Sequence, residues 1–487
     1  MRKLVLALLA ASLASAQIRL VTLPAKSPLV TFRIVFTTGA ASDPVDKPGL
    51  AALTAHMLAE GGTKDLTFRQ IEDALFPMAG SFNVVVDKEM TAFSGVTTKE
   101  NLDAYYKLLR ARLITPGFRP EDFERIRQEQ VNNIQSGLRN NDEELAKEVL
   151  SENIFQNTPY GHYTGGTTDS LAKITLADVE QFYESQYSRS NLYLGIAGDY
   201  PQRLPDQMEK DFTLLPQGAG FRPRSKDAAE VACNRAILIQ KPTRSTAISI
   251  GFPIPATRAI SDYAALLVAN AYFGQHRMSY GLLYQQMREA RGLNYGDYSY
   301  IEPFPMGNAL MEPPPNLVRH QQIFQIWIRP VEPQNAKFAI RLALYNLDKL
   351  IRDGIPPDGF ARARDFVSKY VNVLTRTPNA QLGYNIDSLW YNTPFYAEYL
   401  RKPLSTMTVD DVNRAIRRNL RSDRLVIAAV TADAAGLKKQ LSAGDPSPMT
   451  YIAPKPPAII QEDKIVEKYP LNLRDEDIRI VEATNVP

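Results

Sequence analysis

The chain of 487 residues repeats one series of segments, and this internal duplication constrains its fold more than any other feature. Segments of the first half have counterparts in the second half, in the same order and at roughly the same offset. The matching pairs are 116–128 with 353–365, 174–183 with 407–416, and 191–200 with 423–433. Repetition at this scale indicates two copies of one structural unit rather than a single large core.

Each copy begins with the same order of secondary structure. An alternating apolar pattern typical of a strand occupies residues 29–40 and again residues 245–256. Apolar helical patterns follow at 49–58 and 262–273. We therefore predict an α+β fold of two homologous halves, each a mostly antiparallel sheet with helices on one face.

Threonines mark the start of one matching helix in each half. Thr175 and Thr408 directly precede helical patterns whose first turns are acidic. A threonine side chain accepts hydrogen bonds from the free amides of a helix start, and acidic residues there complement the helix dipole. We predict both threonines to be N-caps.

Changes in composition define the predicted domain boundaries. Residues 17–214 form the first half and residues 233–442 the second. Residues 215–232, rich in proline, glycine and charge, form the linker. Residues 443–487 form a proline-rich C-terminal arm, either extended along the body or a tail, in which 478–483 is a candidate edge strand.

Residues 1–16 have the composition of a secretory signal peptide. Arg2 and Lys3 precede the apolar run of residues 4–11, and Ala14-Ser15-Ala16 fits a cleavage site of small residues. The apolar run is too short to span a bilayer, and nothing after it is long and apolar enough. We predict an exported, soluble protein, periplasmic or extracellular, with no transmembrane segment after signal cleavage.

Net charge and cysteine count exclude several classes of function. The formal net charge of +3 provides no basic face for nucleic acid. Cys233 is the only cysteine, so an internal disulfide and a cysteine-built zinc site are excluded. We predict Cys233 to be a small core residue.

The stretch GLAALTAHMLAEGGT, residues 49–63, has the pattern of a metal-binding helix. Ala52 and His56 are four residues apart and share one helix face. The motif H-x-x-E-H on such a face presents two imidazoles to one zinc ion, with a glutamate beside the metal-bound water. Two of the three positions that this chemistry needs are alanine here.

This stretch and three later segments resemble the insulinase/pitrilysin metallopeptidase family. The resemblance extends from about residue 20 to about residue 440, and it accounts for the duplication, because that family has two homologous halves. The duplication, with a linker long enough to fold one half over the other, predicts that the halves face each other around a closed chamber, with His56 and Arg288 both lining it. The later segments are 80–95, 159–183 and 192–199.

Transferring the zinc motif residue by residue shows a departure from the family. The first histidine falls on Ala52, the catalytic glutamate on Ala55, and the second histidine on His56. The third ligand falls on Asn133, 77 residues after His56. A catalytic zinc needs about three protein ligands and an open water position. We expect this chain to bind no zinc, and we interpret His56 as a helix histidine with a satisfied hydrogen bond.

A second family motif is retained in residues 287–300, MREARGLNYGDYSY. A helix should end near Arg291, with Gly292 as its C′ residue and a strand after it. The resemblance implies that Arg288 and Tyr295 reach toward the zinc, bind the peptide and stabilise the oxyanion. Spacing alone leaves an alternative open, in which the arginine complements a helix C-terminus and the tyrosine belongs to the core.

Asn83 is a further candidate for substrate binding. In the resembled family, the strand that starts here pairs with an extended substrate. Pairing at a sheet edge needs only free backbone groups, so it does not depend on zinc. The alternative is an ordinary turn asparagine.

Three functional hypotheses follow, and we favour the first. The chain is the Arg/Tyr substrate-binding subunit of a two-chain zinc peptidase, inactive alone, with a homologous zinc-bearing partner and an extended peptide as its ligands. Alternatively it is a non-catalytic scaffold or peptide-binding protein, as relatives are in the respiratory cytochrome bc complex and in mitochondrial processing peptidase. A self-sufficient peptidase would need a metal site that the sequence lacks.

Overall fold

The computed structural model describes residues 18–217, 227–304 and 311–487. The described residues form a five-stranded sheet and a six-stranded sheet, each accompanied by helices. This arrangement confirms the predicted α+β fold of two halves. The predicted signal peptide lies outside the described residues, as does the middle of the predicted linker.

The first sheet is mostly antiparallel. Its strands are β1 (Arg19–Pro24), β2 (Leu29–Phe36), β3 (Ser81–Val86), β4 (Thr91–Thr98) and β5 (Leu192–Gly198). They lie in the order β1-β5-β2-β4-β3, and only β1 and β5 are parallel. Strand β3 is therefore at one edge of the sheet.

The helices of the first half pack mainly on one face of this sheet around one core. Thr175 caps α7 in a capping box with Asp178, which confirms the predicted N-cap. The helices are α1 (Leu50–Glu60), α2 (Phe68–Leu75), α3 (Leu102–Ile114), α4 (Pro120–Asn132), α5 (Asp142–Ile154), α6 (Thr168–Leu171), α7 (Leu176–Gln186) and α8 (Leu204–Phe212).

The second sheet repeats the first sheet and adds one strand. Its strands are β6 (Arg235–Gln240), β7 (Thr246–Ile254), β8 (Asp297–Tyr300), β9 (Gln322–Val331), β10 (Val426–Thr431) and β11 (Ile478–Glu482). The order is β11-β6-β10-β7-β9-β8. The additional strand β11 comes from the C-terminal arm and pairs in parallel with β6 at the sheet edge.

The helices of the second half pack around the largest apolar core. Thr408 caps α14 in a capping box with Asp411, as predicted. The arm contains a helix, α16, that its proline-rich composition did not predict. The helices are α9 (Tyr263–Gly274), α10 (Ala336–Asp353), α11 (Pro357–Leu374), α12 (Pro378–Tyr391), α13 (Tyr396–Thr406), α14 (Val409–Asn419), α15 (Ala434–Ser442) and α16 (Pro457–Val466).

Each half also contributes one helix to the sheet of the other half. Helix α5 of the first half packs on β7, β9 and β10, and helix α12 of the second half packs on β1, β2 and β5. These contacts form two apolar clusters that contain residues of both halves. Because both faces of the central strands are covered, β5, β7 and β10 are buried along their whole length.

Glycines in the central strands allow the exchanged helices to come close. A Cβ atom at Gly195 in β5 would lie 3.2 Å from a methyl group of Leu382 on α12. A Cβ atom at Gly251 in β7 would lie 3.3 Å from a methyl group of Leu150 on α5 and 2.4 Å from a carbonyl oxygen of β9. The two helices thus rest on positions that have no side chain.

The turn between β3 and β4 forms polar contacts with the second half. The guanidinium of Arg319 donates two hydrogen bonds to the carboxylate of Asp87, at 2.9 and 2.6 Å. The neighbouring His320 places Nδ1 2.6 Å from a carboxylate oxygen of Glu89. The Arg319–Asp87 pair is almost fully buried, so it ties the two halves together in a region from which water is excluded.

The prediction for Cys233 was wrong. This residue is exposed, and its Sγ lies 3.6 Å from Oδ1 of Asp477. It precedes β6 in a segment without regular structure, so the surrounding sequence holds no strand or helix pattern to bury it. Among the described helices, none combines the length and the apolar content needed to cross a bilayer.

Replacing Arg319 by methionine should lower the free energy of unfolding by about 3 kcal/mol, because Asp87 would stay buried without its partner. Denaturant titration of the purified chain measures this loss. As a control, Lys369→Met removes an exposed ion pair with Asp365 and should have no measurable effect. Equal losses in the two variants would contradict the role of the Arg319–Asp87 pair.

His320 should stabilise the protein in a pH-dependent manner. Its hydrogen bond with Glu89 raises the pKa of His320, with further support from the charges of Glu89 and Asp227 and against the effect of burial. Because the pKa of His320 is higher in the folded than in the unfolded protein, its protonation stabilises the folded state. This stabilisation is complete below the unfolded-state pKa of about 6.5 and is lost as the pH rises through the folded-state pKa. The melting temperatures of the wild type and His320→Gln should therefore differ more at about pH 6 than at about pH 9. A difference independent of pH would contradict this.

Candidate functional site

The helix that resembles a zinc helix has no metal ligand at two of its key positions. Ala52 and Ala55 lie on α1 and are buried, Ala55 completely. The side chain of His56 is partly exposed, and its Nδ1 lies 3.0 Å from a carboxylate oxygen of Glu60, one turn further along. This hydrogen bond lowers the pKa of Glu60, although partial burial acts in the opposite direction. His56 therefore has a hydrogen-bond partner, as we expected.

The position of the third zinc ligand is also changed. Asn133 is exposed and begins a π-helical turn, Asn133–Leu138, that directly follows α4. An amide oxygen is a weak ligand for zinc, and the alanine methyl groups are not ligands. In residues 18–217, 227–304 and 311–487, no group of three or more histidine, cysteine, aspartate and glutamate side chains could hold a metal ion. The residues present do not fit a catalytic zinc.

A cleft of about 700 Å³ lies between the two halves. It is lined by the end of β3, the π-helical turn with Asn133 and one side of α5 from the first half, and by Phe304 and Arg319 from the second. The described residues that line it do not include four of the predicted site residues, namely His56, Asn83, Arg288 and Tyr295. Of the predicted site residues, Asn133 lines this cleft, whereas His56 and Arg288, which were predicted to line the chamber, do not.

Ionisable groups are crowded against one wall of the cleft. Burial lowers the pKa of Lys88, although the carboxylate of Glu148 acts in the opposite direction. Burial raises the pKa of Glu148, and burial together with the charge of Glu148 raises the pKa of Glu152 to about 8. Oε1 of Glu148 has no hydrogen-bond partner. Lys88 and Glu148 line the cleft, so this wall carries charged side chains that are largely shielded from water. The sequence does not single it out, because charged residues at these positions are equally typical of a solvated turn and of a helix surface.

The structure brings Arg288 and Tyr295 together. Arg288 lies in the π-helical turn Tyr284–Glu289, and the helix ends at Gly292, whose φ of +69° favours glycine. The amide of Gly292 bonds to the carbonyl of Arg288 at 2.8 Å, and β8 follows, as predicted. The guanidinium carbon of Arg288 lies 4.4 Å from the ring centroid of Tyr295.

The structure contradicts the tyrosine part of the structural alternative, although Arg288 does lie in the last turn of its helix. Tyr295 is 70% exposed and is therefore not a core residue. The side chain of Arg288 is partly exposed and donates a hydrogen bond to the hydroxyl group of Tyr284. The pair presents hydrogen-bond donors on an accessible surface, where a carbonyl oxygen can reach them.

Asn83 lies inside β3, the edge strand of the first sheet. This strand begins at Ser81, so Asn83 is not a turn residue. It pairs with Ser94 of β4 on one side, and no described strand pairs with β3 on the other side. Its side chain is exposed. The free edge can therefore accept another extended chain.

This fold and this site define a peptidase-like protein with a degenerate metal site, and the sequence matches family models of that class. Residues 20–168 match the model of insulinase (peptidase family M16), and residues 173–367 match the peptidase M16 inactive domain. The chain belongs to the insulinase, or M16, peptidase family.

Individual relatives are distant. The chain is 26% identical over 275 residues to an uncharacterized zinc protease of Rickettsia felis, covering 56% of this chain and 64% of that protein. It is 24% identical over 276 residues to a non-peptidase homolog, YmxG, of Helicobacter pylori, covering 56% and 62%. The chain thus spans somewhat less than two thirds of the length of these curated relatives.

A solved structure supports the fold independently. The peptidase M16 inactive domain from Pseudomonas fluorescens superimposes with a TM-score of 0.73 and 22% identity, covering 85% of this chain and 96% of that chain. At this identity the likeness establishes the fold alone.

The purified chain should bind no stoichiometric zinc, because Ala52, Ala55 and Asn133 occupy the ligand and base positions. Metal analysis after dialysis against micromolar zinc tests this expectation. The double variant Ala52→His/Asn133→Glu, which with His56 restores a set of three ligands, is the matched comparison. One tightly held zinc per wild-type chain would reveal a site that these residues do not explain.

Proposed function

We propose that this chain is the substrate-binding subunit of a two-chain zinc peptidase that cleaves peptides. It would contribute Arg288 and Tyr295, and a homologous partner would contribute the zinc ion. The observation that carries the proposal is the contrast between two sites of one family. Two of the three zinc-ligand positions and the position of the base no longer hold the required residues, whereas the Arg288–Tyr295 pair is retained, stacked and accessible.

The retained pair fits a role in stabilising charge. A guanidinium and a phenol are hydrogen-bond donors, and such donors stabilise the negative charge that develops on a carbonyl oxygen during peptide hydrolysis. In the proposed complex, the zinc and the base come from the partner, and Arg288 and Tyr295 contact the peptide next to the scissile bond.

Peptide binding is proposed to use the free edge of β3. An extended peptide would add as a further strand beside Asn83, with backbone hydrogen bonds providing most of the affinity. Val85 and Val86, at the end of this strand, line the cleft, so a peptide on β3 would continue toward it.

The proposed complex lies outside the cytoplasm. The support for this is the signal-peptide pattern of residues 1–16, in which Arg2 and Lys3 precede a short apolar run and a small-residue cleavage site. The zinc-bearing partner should then carry an export signal of its own.

A non-catalytic scaffold or peptide-binding protein is the second candidate. The name of the Helicobacter pylori relative, a non-peptidase homolog, supports this alternative. The two candidates differ in what they require of a partner. A neighbouring coding sequence for an exported homologue with an intact H-x-x-E-H motif would favour the two-chain peptidase.

Mixed with such a partner, the chain should raise peptide hydrolysis well above that of either chain alone. Arg288→Ala or Tyr295→Phe should then lower turnover by about a hundredfold, because each removes a donor that acts on the developing oxyanion. Peptide affinity should change less, because backbone pairing with β3 provides most of it. Steady-state kinetics of the assembled pair measure both quantities.

Controls separate this effect from loss of structure. Tyr280→Phe alters another highly exposed tyrosine of the same half and should leave turnover unchanged. Size-exclusion chromatography should show that every variant still assembles with the partner. If both motif variants retain full activity in the assembled pair, the motif is structural and the scaffold replaces the peptidase subunit as the preferred function.

A further inference from the structure

The ring of Tyr295 lies near two guanidinium groups rather than one. The guanidinium carbon of Arg288 is 4.4 Å from the ring centroid, and that of Arg329 is 5.8 Å from it. Arg288 is the residue that the family motif supplies. Arg329 lies on β9, outside the motif, and no sequence pattern singled it out.

Arg329 is itself held by both halves of the protein. Its Nε lies 3.3 Å from Oε2 of Glu143, on the first turn of α5, and its guanidinium lies 6.0 Å from the ring of Trp327. The carbonyl oxygen of Arg329 accepts a hydrogen bond from Nδ2 of Asn294 at 2.8 Å. Arg329 therefore contacts the ring of Tyr295, the preceding residue Asn294 and the exchanged helix α5.

We propose that Arg329 is a positioning residue for the Arg288–Tyr295 pair, and that Glu143 of the other half holds Arg329 in place. This inference rests on the proposed function, because it concerns how the Arg/Tyr motif is presented to a substrate. Arg329 does not contact the peptide. It acts by restricting where the phenol of Tyr295 lies.

The physical reason is the exposure of Tyr295. A tyrosine that is 70% exposed has few packing neighbours to fix its χ1 and χ2 angles. Cations near its ring provide the missing restraint through cation–π attraction. Because Glu143 is almost fully buried, the Arg329–Glu143 ion pair also makes the position of the ring depend on the docking of α5.

Fluorine NMR of the purified full chain tests this positioning without any partner. 3-Fluorotyrosine is incorporated at position 295 alone, and its resonance is compared with that of the unfolded chain. Arg329→Met should move the resonance most of the way to the unfolded value. Arg364→Met, which removes a cation from the ring of Phe360 on α11, is the matched control and should leave it unchanged. An unchanged resonance in Arg329→Met would overturn the proposal.

A charge swap separates stacking from the ion pair. Glu143→Arg combined with Arg329→Glu restores opposite charges between the halves but leaves no guanidinium on β9. The melting temperature should recover relative to Arg329→Glu alone, whereas the fluorine resonance should stay displaced. Recovery of the resonance would show that docking of the halves, and not the guanidinium of Arg329, positions Tyr295, which would overturn the proposal.

Turnover of the assembled pair separates this inference from the function on which it rests. Arg329→Met should lower kcat by about tenfold with little change in KM, since a misplaced group loses rate without losing binding. If Arg288→Ala lowers turnover and Arg329→Met does not, only the positioning role fails. If neither variant lowers turnover, the proposed function fails as well.

Discussion

The exchange of helices α5 and α12 is the interaction on which the rest of the structure depends. Each sheet has an apolar face that its own half leaves uncovered, and the helix of the other half covers it. Burial of such faces is the main favourable contribution to folding, and an exposed apolar sheet face would promote aggregation. The two halves are therefore parts of one body. The cleft between them is a built-in feature, since α5 forms one of its walls while it packs on the second sheet.

This architecture explains how the chain can lose a metal site and keep its fold. The zinc positions lie on α1 and at the end of α4, and the stability of both helices comes from apolar packing around α1. Ala55 belongs to that core and is completely buried, so its methyl group is a packing element. A glutamate at this position would need space for a charged group among packed side chains, at a cost of several kcal/mol if the charge remained unpaired. The present packing of α1 thus opposes a return of the catalytic base.

Local features of the fold could be predicted from the sequence, and contacts distant along the chain could not. The structure confirms the first strand of each half, the caps at Thr175 and Thr408, and the helix end at Gly292. Each of these features depends on residues that are close together in the sequence, and the duplication repeats them in both halves. The helix exchange depends on which sheet an apolar helix covers, and the periodicity of a helix does not specify its partner. Arg329 was missed for the same reason, because its partner Glu143 is 186 residues away.

The energetics of the Arg288–Tyr295–Arg329 group favour a functional reason for its presence. An exposed cation–π contact contributes only about 0.5–1 kcal/mol, and two guanidinium groups near one ring repel each other. A scaffold gains little stability from such a group, and a buried aliphatic residue would pack better. An exposed phenol with two cations near its ring is, however, suited to binding a group that becomes negatively charged. The arrangement is thus weak as a structural element and well matched to the stabilisation of an oxyanion, which is the role proposed for it here.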